Sequence, residues 1–110
     1  MPDQNQIVTP PSFIALFVEP GRIKPSATRE FIAERYEFCE DLATLFVDPA
    51  KGKLWELGIA QEDVLQRIRR GLLTAEAGVN PAEAAWVLRR LAELLDWEWS
   101  EAAAGADGAG

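Results

Sequence analysis

The stretch from about Ala27 to Val47 constrains the fold more than any other part of the chain. Set on a helix at roughly 100° per residue, Leu45, Phe38, Phe31, Leu42, Phe46, Cys39, Ile32, Ala43 and Tyr36 fill one continuous arc. Glu30, Glu34, Glu37 and Asp41 form a narrow line opposite. An apolar arc wider than half the circumference needs neighbours on several sides, so this helix is expected to be the hub on which the others pack. Pro25 and Ser26 precede it, and Asp48-Pro49 is expected to end it.

Other helices are expected around that hub. Ser12 is placed to cap a short one, Phe13 to Val18, stopped by Glu19-Pro20-Gly21. The same run suits a buried strand equally well. Helix is preferred because nothing else reads as a strand to pair with it. After a loop from Asp48 to Gly52, Lys53 to Leu57 reads as one helical turn stopped by Gly58. A third helix, Gln61 to Leu72, buries Val64, Leu65, Ile68 and Leu72. Glu62 and Asp63 at its start and Arg67, Arg69 and Arg70 at its end suit the helix dipole, each well-placed charge being worth ~0.3 to 1 kcal/mol. The fourth has the best start signal: Asn80 as N-cap, Pro81 at the first position and Glu83 at the third form a capping box. Its core face is Ala84, Val87, Leu88, Leu91, Leu94 and Leu95, and it ends near Trp97.

The expected fold is all-α, a small antiparallel bundle of three main helices plus one or two short ones. Residues 1–11 read as a flexible N-terminal arm, 12–99 as a single helical domain and 100–110 as a disordered tail. Phe31, Ile32, Cys39, Leu42, Leu88 and Leu91 are expected to be nearly inaccessible.

Charge narrows the function classes. Eleven basic and 18 acidic residues give a net charge of −7, with no histidine. Nucleic acid and anionic membrane carry the same sign, so neither is expected as a partner. Without imidazole there is no base or metal ligand of that kind near neutrality. One cysteine makes neither an internal disulfide nor a thiolate zinc site. No apolar run reaches the ~18 to 20 residues that span a bilayer, and no export signal is evident, which points to the cytoplasm.

Three chemical constellations fail on inspection. Gly52-Lys53 is followed by Leu54 and has Val47 at the earlier glycine position of a P-loop, leaving no phosphate nest and no magnesium hydroxyl. Cys39 falls mid-arc and reads as a core thiol. Serine and threonine have no histidine to activate them. No catalytic residue, metal or cofactor is therefore expected, and the chain reads as non-enzymatic.

Two surfaces remain. Glu30, Glu34, Glu37 and Asp41 read as a solvated face, or as a docking face for a basic partner or for Arg67, Arg69 and Arg70 of this same chain; bundle metal sites mix Glu with His, which is lacking here. Trp86 and Trp97 fall on the polar side of the fourth helix with Arg90 and Glu93 between them, forming one ridge. The ridge is either covered by the N-terminal arm or first helix, or exposed as a contact patch of the composition favoured in interface hot spots. A helix-turn-helix around Gly58 is disfavoured: its first helix would have to pass through Asp48, Pro49 and Gly52, and Leu54 stands where a small residue is wanted.

The segments PPSFIALFVEPGR (10–22), ERYEFCEDLA (34–43), EDVLQRIRRGLL (62–73) and NPAEAAWVLRRLAELLDW (80–97) resemble a group of short proteobacterial proteins described as ATPases with chaperone activity. The resemblance implies a place beside an ATP-dependent chaperone. Because the chain lacks Walker motifs and is shorter than the ~200 residues of such an ATPase module, the implied role is accessory or adaptor. The expected function is a protein–protein interaction module that binds a protein, or a second copy of itself, through the Trp86/Trp97 ridge or the acidic line. The alternatives are a helix-turn-helix-like transcription regulator and a chaperone-type ATPase.

Overall fold

The computed structural model describes residues 8–99. The tail at 100–110 and most of the expected arm lie outside that range. All regular structure among the described residues is helical: α1 (Pro11–Ile14), a 3₁₀ turn (Ala15–Phe17), α2 (Arg29–Leu45), α3 (Val47–Leu57), α4 (Gln61–Leu72), a second 3₁₀ turn (Ala75–Ala77) and α5 (Pro81–Leu95). The all-α expectation holds, with four main helices instead of three. The residues group into two compact units, one up to Phe38 and one from Cys39 onward, and the boundary falls within α2.

In the first unit, the run from Phe13 is helical and not a strand. Pro11, not Ser12, opens it: Pro10 is extended (φ −66°, ψ 148°) and its carbonyl accepts from the Phe13 and Ile14 amides at 3.0 and 3.1 Å. Proline is pre-shaped for a first helical position and has no amide to leave unpaired. Phe13 is fully buried. Its ring meets Phe17 at 5.6 Å and Tyr36 edge-on at 5.7 Å, and Phe17 meets Phe31 edge-on at 6.1 Å. Such edge contacts are worth about 0.5 to 1.5 kcal/mol beyond area burial.

α2 begins two residues later than expected because Thr28 caps it. The Thr28 hydroxyl accepts from the Phe31 amide at 3.1 Å and its carbonyl from the Ile32 amide at 3.0 Å. The helix does not stop at Asp48-Pro49. It ends at Leu45, Phe46 stays in the right-handed region (φ −84°, ψ −5°), and α3 starts at Val47. Pro49 then sits at the third position of α3, in the first turn, where its missing amide costs nothing. The segment 48–52, expected as a loop, is helix. α3 stops at Gly58, whose left-handed backbone (φ 62°, ψ 31°) donates its amide to Leu54 at 3.0 Å.

α4 and α5 supply most of the buried side chains of the second unit, so α2 is not the hub there. Val64, Leu65, Ile68 and Leu72 are buried on α4, and Ala84, Val87, Leu88, Leu91, Ala92 and Leu95 on α5. α3 packs on both. Leu94, expected in this core, is exposed. The capping box is present: Asn80 Oδ1 accepts from the Glu83 amide at 2.7 Å, and Glu83 Oε1 accepts from the Asn80 amide at 3.0 Å.

Candidate protein-contact faces

One edge of the α2 arc is left open to solvent. Ile32, Cys39 and Ala43 are buried, Leu42 is partly covered, and Phe31, Phe38 and Leu45 are 48%, 40% and 70% exposed. The expectation of a nearly inaccessible Phe31 and Leu42 is corrected. The arc is wider than its neighbours can cover, and the line lost to solvent is the one next to the acids. Phe31, Phe38 and Leu45 recur at seven residues, a step that drifts only ~20° around a straight helix. Within the first unit, Phe31 and Phe38 form a short stripe on α2.

Glu30, Glu34, Glu37 and Asp41 are all exposed, as the helical pattern placed them. They border the stripe on one side. Their i,i+3 and i,i+4 spacings are like-charge pairs, each costing an isolated helix ~0.2 to 0.5 kcal/mol. They are spread along the helix axis, and among the described residues no group of three potential ligands could hold a metal ion. On the stripe's other side the Arg35 guanidinium stands over the Phe38 ring at 5.0 Å.

The tryptophan surface differs from its expectation. α5 ends at Leu95 because Asp96 turns left-handed (φ 61°, ψ 39°). The Asp96 amide bonds the Glu93 carbonyl at 3.1 Å and the Trp97 amide bonds the Ala92 carbonyl at 2.9 Å, the two bonds of a Schellman closure. Trp97 is therefore off the helix, and helical spacing no longer aligns it with Trp86. Both rings are half-buried. Trp99, half-buried as well, has Arg89 over its ring at 5.8 Å.

Arg90 and Glu93, expected between the rings, are engaged within the chain. Arg90 Nε donates to Glu40 Oε1 and Oε2 at 2.9 and 3.1 Å, Nη2 to Glu40 Oε2 at 2.9 Å, and Nη1 to Glu93 Oε1 at 3.1 Å. The bond to Glu40 foremost, with Glu93 adding, holds the guanidinium pKa above its ordinary value although burial pulls the other way. This fork ties α5 to the C-terminal half of α2, across 50 residues of sequence.

Other candidates resolve simply. Gly52 and Lys53 lie inside α3, where their amides belong to the helix. Cys39 is buried and in no disulfide. α3 and α4 are consecutive helices joined by the short turn 58–60, and Asp48, Pro49 and Gly52 lie within α3, so the objection based on them falls. The second of the two helices, however, starts with exposed Gln61, Glu62 and Asp63, at the end that would read bases.

The helical pattern marks the acidic line, but it sets Phe31, Phe38 and Leu45 on one wide apolar arc, with Phe31 expected to be inaccessible, and does not mark their exposure. It also missed Trp55, 90% exposed on α3. The seven-residue recurrence beside a charged line was the available signal for the stripe; nothing in the sequence marks Trp55.

No protein-family model, curated protein or solved structure matches the chain. Among the described residues, no helix is long and apolar enough to cross a membrane.

Proposed function

We propose that the protein is a non-enzymatic interaction module that docks another protein on the face of α2 formed by Phe31 and Phe38 beside Glu30, Glu34 and Glu37. One observation carries the reading: two large apolar side chains, Phe31 and Phe38, stay open to solvent on one side of a single helix. Exposed apolar surface rimmed by charged residues marks protein contact sites. The tryptophan face is the weaker candidate, because Trp86 and Trp97 are half-covered and Arg90 is bonded to Glu40 and Glu93. The resemblance of its segments to chaperone-associated proteins suggests an ATP-dependent chaperone as the machine served, with this chain as an adaptor in the cytoplasm.

Duplex binding through α4 is the second reading, favoured by the turn at Gly58. Glu62 and Asp63 at the reading end and the net charge of −7 oppose it. Photo-crosslinking decides between the faces. A benzophenone side chain at position 38, placed in the full chain in cells, is expected to give a discrete adduct with another protein, and the same probe at position 86 none. Adducts from position 86 alone would move the site to the tryptophan face.

A further inference from the structure

One edge of the α2 stripe is acidic: Glu30, Glu34 and Glu37 lie along it, all exposed. On the other side Arg35 stands over the Phe38 ring. Nothing about the helix itself calls for this asymmetry, since the acids repel one another along it.

We infer that the occupant of this face is a basic amphipathic helix of another protein. The inference rests on the docking role proposed above and adds the chemistry of the partner. Apolar side chains at i, i+3 or i+4, and i+7 would cover Phe31 and Phe38, as in helix-on-helix-face recognition. Lys or Arg along one edge would meet Glu30, Glu34 and Glu37. Apolar burial supplies the affinity, while the charged edge sets orientation and speeds encounter. A second copy of this chain fits poorly: it carries the same net charge of −7, and an antiparallel two-fold pairing sets acidic edge against acidic edge.

The test uses the full chain and two synthetic labelled peptides of 17 residues, the length of α2. Both have a leucine face; one carries Lys along a single flank, the other Glu at the same positions. Fluorescence anisotropy is expected to show saturable binding of the Lys peptide, at least roughly tenfold tighter than the Glu peptide, and weakening with salt. Glu34→Gln with Glu37→Gln should weaken the Lys peptide by roughly tenfold, and Phe38→Ser by a similar factor. Both glutamates are exposed, so the first variant keeps the fold whatever Phe38→Ser does. Equal binding of the two peptides, with Phe38→Ser still weakening both, would overturn the charge assignment and leave the docking face standing. Discrimination between the peptides that survives intact in a folded Phe38→Ser variant would defeat the docking face itself. Self-association of the free chain that Phe38→Ser abolishes would make the occupant a second copy and overturn the inference.

Discussion

Asp96 shows how one residue decides what a surface looks like. Its left-handed backbone ends α5 and takes Trp97 off the helix. An aspartate there carries two costs: a Cβ in a conformation suited to glycine, and a negative charge at the negative end of a helix. Asp96→Gly should raise stability by about 0.5 to 1 kcal/mol in urea denaturation, and Asp96→Asn by a few tenths. A loss of stability in both would contradict the termination described here. Arg90 and Glu40 are the second residue-scale case. Their fork is partly exposed, with side-chain exposures of 33% and 25%, which discounts it well below a buried pair. A double-mutant cycle with Arg90→Met and Glu40→Gln should give a coupling energy of about 1 kcal/mol.

At the scale of elements, the legible helices were those with local signals on both sides. α4 and α5 were readable almost residue by residue, because each has a start signal and a narrow apolar face with a matching neighbour. α3 was not. Asp48-Pro49 and Gly52 read as punctuation, yet proline is harmless in a first turn and one glycine weakens a helix by only about 1 kcal/mol. The candidate face was half-legible for a related reason. A helical wheel reports which side chains are apolar but not how many neighbours arrive to cover them. Phe31 and Leu42 are thus more exposed than the wheel implies, while Ile32 and Cys39 are buried as it implies. The helical glycines give a direct check. An added Cβ meets nothing within 4 Å at Gly52 or Gly71, so Gly52→Ala and Gly71→Ala should each stabilise by about 0.5 to 1 kcal/mol in chemical denaturation. Gly58→Ala, at φ 62°, should destabilise by about 1 kcal/mol.

For the whole molecule, core and contact surface should separate in their response to truncation. Leu91 is fully buried, and Leu91→Ala should cost roughly 2 to 5 kcal/mol through the cavity it leaves. Phe38→Ala removes a ring that is 40% exposed and should cost about 1 kcal/mol or less, while removing the proposed anchor. A large loss of stability from Phe38→Ala would return that ring to the core and leave α2 without an open face. The docking role proposed for α2 is tested by titrating the isotopically labelled full chain with the Lys-flanked peptide and following amide chemical shifts. The largest shifts are expected clustered on α2 around Phe31, Glu34 and Phe38, with α5 around Trp86 unmoved; shifts concentrated at Trp86 and Trp97, with α2 silent, would overturn that role.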